Sequence, residues 1–306
     1  MHLRHFVLGA LIATAGVLSA EDPIPDAFVT VYSQGSVNWV TGEVLVTGSA
    51  KVRRVVKGPS DPLYNPDDPY QPRNIASARL AARREAEIAA RANAEIILSS
   101  LRVDNETTVA DHRRRPGVDS KFNAFVSEQG ALSSALLDDR DDSYKITLTY
   151  RLFGPKGFVA LNDQEDPADD FIRFHMEAWP TYWPATNKTV WDGLIISAPY
   201  LHLTPALAPR IYAENGNLLY DASFIDASTA SENGMTLYAS TPFNVIRSMN
   251  MRYYHCLAVN TTSFEGTDLV ISDEDAARIC SSQGTLKNLR KCRVIILAAA
   301  PPSKKR

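Results

Sequence analysis

Gly35-Ser-Val-Asn-Trp39-Val-Thr-Gly42-Glu-Val-Leu-Val-Thr-Gly48 is the stretch on which the fold turns. Two short runs rich in β-branched residues flank Thr41-Gly42, a turn signal, so the segment from Val37 to Val56 reads as a pair of strands. Val44 and Val46 alternate with Glu43, Leu45 and Thr47, and the second face is only partly polar. Downstream, Gly58 to Arg73 carries Pro59, Pro62, Pro66, Pro69 and Pro72 among Asp and Asn. Proline cannot donate to a helix or an inner strand, so this is an extended surface loop. Asn74 then stands as an N-cap, and Ile75 to Ser99 contains neither Gly nor Pro. Ile75, Ala78, Ala82, Ala86, Ala89, Asn93, Ile96 and Ile97 recur at helical spacing. Arg83, Glu87, Arg91 and Glu95 form a charge ladder on the other face. A stripe made mostly of alanine lets the helix axis lie close to whatever it covers, most simply a sheet.

Leu101 to Val109 reads as a strand, and Ser120 to Leu137 as a second amphipathic helix weakened by Gly130. From Tyr144 to Phe153, Ile146, Leu148, Tyr150 and Leu152 alternate with Lys145, Thr147, Thr149 and Arg151, the pattern of a half-buried strand. The order β-β-α-β-α-β over residues 35–155 predicts a small α+β domain with helices on one face of its sheet. Residues 156–187 read as an acidic and aromatic linker containing Trp179, Tyr182 and Trp183, with Trp191 just beyond. These four residues form a candidate contact surface: an aromatic platform for sugars or a partner protein, or else packing at the junction.

A second α+β domain is expected over 188–300. Gly193 to Ser197 is a buried strand, and Asn215-Gly216 joins Arg210–Glu214 to Asn217–Asp221 as a hairpin near a sheet edge. Tyr253 to Thr261, Asp268 to Ser272 and Cys292 to Ala300 are further strands. Ser272-Asp-Glu-Asp275 starts a helix through Ala276 to Ser282. Residues 301–306 are a basic tail.

The first twenty residues have the layout of a secretory signal, with Arg4, an uncharged run from Phe6 to Leu18, and cleavage expected after Ala20. No cysteine follows the apolar run, and no later segment is apolar enough to span a bilayer, so the reading is an exported protein without a lipid anchor. A formal net charge of −3 with 22% charged residues gives no basic field for nucleic acid. Arg113-Arg114-Arg115 and Lys304-Lys305-Arg306 read as solvated turn and tail. His112, His175, His202 and His255 make no paired metal motif, and there is no phosphate-cradling loop or nucleophile elbow. Two acidic clusters, Asp138-Asp-Arg-Asp-Asp142 and Asp273-Glu-Asp275, have the composition to hold calcium. The first lacks the spacing of a calcium loop, and the second is explained as a helix start. Either Cys280 and Cys292 close a disulfide and leave Cys256 odd, or all three stay as buried thiols. Asn105, Asn187 and Asn260 begin Asn-x-Thr sequons. No catalytic residue, cofactor or metal is expected.

Taken together, Gly35-Ser-Val-Asn-Trp39, Gly42 to Gly48, Ala78-Arg-Leu-Ala-Ala-Arg-Arg-Glu-Ala86, Val103 to Val109 and the strand ending at Gly154-Pro155 resemble the LPP-twenty lipoprotein family over residues 35–155. That family includes FlgP and is similar to the amino-terminal domain of FlgT. The resemblance implies a non-enzymatic structural or assembly component related to flagellar basal structures. Its expected setting is the periplasm or the outer membrane, with envelope protein partners or self-assembly. The chain departs from the family in lacking a lipidation cysteine, in carrying a second domain, and in the proline-rich loop at 58–73. The alternatives are a periplasmic cell-wall or glycan-binding module built on Trp179, Tyr182, Trp183 and Trp191, and, less favoured, a periplasmic enzyme.

Overall fold

The computed structural model describes residues 28–68, 70–161, 189–240, 251–263 and 266–299. It is a mixed α+β protein with two sheets. The first sheet is antiparallel and comprises β1 (Val29–Tyr32), β2 (Gly35–Asn38), β3 (Glu43–Lys51), β4 (Ala131–Asp138) and β5 (Ser143–Arg151), in the order β1-β2-β3-β5-β4. Helices α1 (Ile75–Ser99), α2 (Val109–Arg113) and α3 (Val118–Glu128) connect β3 to β4.

Helix α1 has the expected bounds. The Asn74 side chain accepts from the Ser77 amide, and Ser77 returns a bond to the Asn74 backbone, so two orphan groups of the first turn are satisfied at once. Its buried stripe is Ala78, Ala82, Ala86, Ala90 and Ala94, a strict i, i+4 row ending in Ile97 and Leu98. Ile75, Ile88 and Ile96 lie outside it and are exposed. The alanine row allows unusually close packing: a Cβ at Gly48 of β3 would lie 2.2 Å from the Ala86 carbonyl oxygen and 2.2 Å from the Ala90 nitrogen. Helix backbone therefore rests directly on strand backbone.

Three expectations are corrected here. Leu101 to Val109 is a turn, closed by an isolated antiparallel bridge between Arg102 and Thr108. The Asp104 carboxylate accepts from the amides of Glu106 and Thr107, an Asx-type competition that β-branched composition does not reveal. The second amphipathic helix stops at Glu128, and Ala131 onward is β4. The break falls at Gly130, where a Cβ would lie 2.6 Å from the Tyr150 hydroxyl oxygen. Strand β1 also adds a member to the sheet, tied by a 2.9 Å bond from Trp39 Nε1 to Thr30 Oγ1.

The second sheet contains β6 (Gly193–Ala198), β7 (Ile211–Ala213), β8 (Leu218–Tyr220), β9 (Leu237–Ala239), β10 (Tyr253–Thr261), β11 (Leu269–Ile271) and β12 (Val294–Ala298). Their order is β8-β7-β11-β10-β6-β12-β9. Strands β10, β6, β12 and β9 run parallel, with β9 at one edge, while the β7–β8 hairpin lies at the other edge and turns at Gly216, whose φ is +86°. All five residues of β12 are buried, as a strand covered on both faces requires. Helices α4 (Ala227–Asn233), α5 (Asp273–Cys280) and α6 (Gln283–Leu289) complete this half. Ser272 caps α5 by accepting from the Asp275 amide, as its sequence predicts.

One continuous hydrophobic cluster spans the two sheets, from Phe28, Val44 and Leu148 to Leu194, Tyr238 and Ile296. At the start of the expected linker, Phe158 and Val159 are buried, and the Phe158 ring meets Phe122 and Phe125 at 5.9 and 5.5 Å between centroids.

Candidate interaction surface

Two regions separate clearly: a seam whose groups are matched to one another, and a sheet edge whose groups are not. At the seam, Tyr238 of β9 is stacked on Phe28 at 5.7 Å and meets the edge of Trp39 at 5.7 Å. Its hydroxyl donates to the Ala206 carbonyl at 3.1 Å and accepts from the Ala206 amide at 3.0 Å. The backbone joins in: Leu207 and Ala208 donate to the carbonyls of Arg102 and Val103. Beside this bridge Arg210 contacts Asp104 at 3.5 Å, Glu106 at 3.7 Å and Asp221 at 3.0 Å. Asn105 accepts from the Ser263 hydroxyl and the Thr267 amide. The turn at 103–107 is thus a polar clasp on the second half. Between the halves remains a mostly apolar crevice of about 50 Å³ lined by Val109, His112, Phe122, Val159, Leu207 and Met235. Small-molecule sites run to roughly 300–1,000 Å³, so this is a packing defect in size.

Asp268, only 2% exposed, sits behind the clasp. Burial pushes its carboxyl above the ordinary value, against opposing bonds from the Arg210 amide and the Thr267 hydroxyl. The folded state therefore holds this proton more tightly than the unfolded chain does. Its contribution to stability is full below the ordinary carboxylate range and is lost as pH rises through the raised value. Asp104 is opposite in sign. Burial raises it, but the bonds from Glu106 and Thr107 and the Arg210 charge outweigh that and hold it low. We expect Asp268→Asn to remove the decline in stability on the alkaline side of the carboxylate range, read as urea midpoints measured across pH 4 to 8. An unchanged pH profile would contradict the assignment.

The second region is β4, the terminal strand of the first sheet. Among the described residues it pairs with β5 alone, and Leu132 and Leu136 are 53% and 62% exposed. A bulge between Leu132 and Ser134 places the two leucines on opposite faces: Leu132 stands beside Leu148 on the helix side, and Leu136 beside Lys145 on the open side. The open face continues through Leu45, which is 40% exposed, and a row of hydroxyls including Thr47 and Thr147. Natural edges are usually blunted by lysine, proline, a covering element or a bulge such as the one at Leu132–Ser134. From Ala131 to Leu137, β4 carries none of those residues and no charge.

Of the sequence-predicted contact residues, Trp191 alone is among the described ones. Trp179, Tyr182 and Trp183 lie outside the described residues, as do Ala20 and the basic tail. Trp191 is half-buried. Its ring meets Tyr254 at 5.4 Å, its amide donates to the Thr285 hydroxyl, and its carbonyl accepts from Asn288. Asp138 to Asp142 forms the β4–β5 turn, with Asp138 bound to Lys145 at 2.9 Å. Among the described residues no group of three or more His, Cys, Asp or Glu side chains is placed to hold a metal ion. Arg113 is a structural cation, bonded to Glu95 and Asp119 with its guanidinium 4.1 Å over the Phe122 ring. All three cysteines are free thiols, and burial pushes those of Cys280 and Cys292 up to about 12, far from a reactive thiolate. Sequence reasoning missed a pairing of Ser197 Oγ with His255 Nε2 at 2.8 Å across β6 and β10. No carboxylate orients that imidazole among the described residues, so the pair lacks the third group that activates a serine.

Residues 193–300 match the family model of the second domain of Treponema pallidum Tp0624. The Tp0624-like region runs from the first residue of β6 past the end of β12, and so takes in the whole second sheet. The chain matches no curated protein. The expected LPP-twenty membership of residues 35–155 is overturned: the family similarity lies in the other half and concerns a different family. The residues that carried that resemblance do general work. Gly48 and the alanine row are demanded by close helix–strand packing, and Val103 to Val109 is a turn rather than the strand the comparison required.

Proposed function

We propose that this chain is an exported, non-enzymatic protein of the cell envelope that acts through protein–protein contacts, its own copies first among them. The observation that carries the reading is β4. A terminal strand that is uncharged from Ala131 to Leu137 and bears exposed leucines on both faces can accept another strand, with main-chain hydrogen bonds giving affinity and alternate side chains giving register. Self-pairing of β4 through a two-fold axis would join two first sheets into one and cover Leu136 and Leu132 together. No helix among the described residues is long and apolar enough to cross a membrane, which is compatible with export. Export itself is read from residues 1–20, and the envelope location follows from it.

Light scattering during size-exclusion chromatography tests the contact. The expected result is a concentration-dependent dimer that Leu136→Lys, alone or with Leu132→Lys, shifts at least tenfold toward monomer while leaving the circular dichroism unchanged. A wild-type protein that stays monomeric at all accessible concentrations would rule out self-pairing at β4. Fractionation of tagged protein tests the location, with cytoplasmic retention of a full-length chain counting against export.

A further inference from the structure

The proline-rich loop encloses space. Residues 57–73 leave β3 and return to α1, closed at the base by a 2.9 Å bond from the Val56 amide to the Pro72 carbonyl. Inside, successive Asx turns at Asp61, Asn65 and Asp68 use up the loop's own amides: Leu63 bonds to Asp61, Asp67 to Asn65, and Tyr70 to Asp68. What these turns surround is a polar cavity of about 340 Å³. That lies within the range of small-molecule sites, and is over twice the ~150 Å³ that admits benzene. It is also far larger than the crevice at the seam.

The cavity's chemistry is mixed at close quarters. Lys57 and Arg73 supply cations, Asp68 a carboxylate, and Asn65 and Gln71 amides, with Tyr64 also in the lining. Arg73 makes no ion pair among the described residues. Gln71 is anchored through its Nε2, which donates to the Asn65 carbonyl. Its Oε1 is buried and has no hydrogen-bond donor among the described residues. Buried acceptors are nearly always paired, and one open to a polar cavity is met by an ordered water or by a ligand that displaces it.

We propose that this loop is a binding site for a small polyhydroxylated ligand, a mono- or disaccharide. A hydroxyl both donates and accepts, so a row of them can satisfy Gln71 Oε1 and Asp68 while receiving bonds from Lys57 and Arg73. A purely anionic ligand would leave the Gln71 acceptor unmet, and a simple cation would face Lys57 and Arg73. The Tyr64 ring supplies the apolar surface that a sugar's C–H face requires. This inference is independent of the β4 contact, which lies on a different element.

Saturation-transfer NMR and titration calorimetry on the full chain, with glucose, N-acetylglucosamine and glucuronic acid as probes, test the site. At least one probe should bind saturably, and Gln71→Ala should weaken it on the order of tenfold, as the loss of one hydrogen-bonded anchor predicts. Because Gln71→Ala also removes the tie to Asn65, Tyr64→Ala serves as the second variant. It should weaken binding similarly without moving the thermal midpoint, since the backbone bonds of residue 64 do not involve its ring. Absence of saturable binding by all three probes at millimolar concentration, as for a pocket holding only water, overturns the proposal. So does binding that is indifferent to both variants.

Discussion

Gly48→Val should be the most damaging single substitution in the first sheet, lowering stability by about 3 kcal/mol or more. Ordinary overpacking is relieved by rotating a side chain. At Gly48 the clashing atoms are the Ala86 carbonyl oxygen and the Ala90 nitrogen, each 2.2 Å from the new Cβ, and backbone cannot rotate away. Helix α1 would have to lift from β3, opening the contacts of Ala86, Ala90 and Ala94 in turn. Even Gly48→Ala carries the same clash, so it should approach the valine variant in effect. The measurement is the urea midpoint by circular dichroism. An alanine variant within about 0.5 kcal/mol of wild type, the range of neutral surface changes, would mean that the helix does not rest on the strand this closely.

Tyr238→Ala should be comparably severe, at about 3–5 kcal/mol, the usual cost of emptying a large aromatic site. The ring is fully enclosed between Phe28, Trp39 and the second sheet, so its loss leaves a cavity at the seam and strips two aromatic contacts. Tyr238→Phe keeps the shape and removes only the hydroxyl. It should cost about 1–3 kcal/mol, because the buried Ala206 amide loses its acceptor. Comparing the two variants in one denaturation series separates packing from hydrogen bonding. Equal losses would mean that the hydroxyl carries the whole effect.

Those two sites also mark how far the sequence could be read. Local signals were legible. Asn74 with a Gly- and Pro-free run defined α1, Asn215-Gly216 located the β7–β8 hairpin, and the alternation from Ile146 to Leu152 gave β5. Each depends on neighbours within a few residues. The failures involve competition or distance. Residues 101–109 carry strand-forming types, yet the Asp104 side chain captures the local amides and bends them into a turn. The apolar residues after Ser120 continue past Glu128 at a period compatible with a helix, but Gly130 is needed beneath the Tyr150 hydroxyl, and its packing partner lies twenty residues on. Exposed strand edges in the first half were expected as contact surfaces, but the pairing of β4, among the described residues, only to β5 is a fact of strand order that no local pattern encodes, so the edge could not be placed at Leu132 or Leu136. The proline-rich loop was recognised as a loop from its composition. That it encloses a cavity depends on how three Asx turns follow one another.

The placement of Phe28 against Tyr238 bears on how the chain matures. Residues emerge in order during synthesis and domains tend to fold as units from the amino-terminal end. Here the first strand cannot finish seating until β9 has been delivered, with most of the chain in between. Until then Phe28 and Trp39 present an apolar face with no cover. A nascent molecule therefore spends its early life with a surface attractive to chaperones. A ribosome stalled before residue 238 would hold an intermediate that is sticky rather than half-functional.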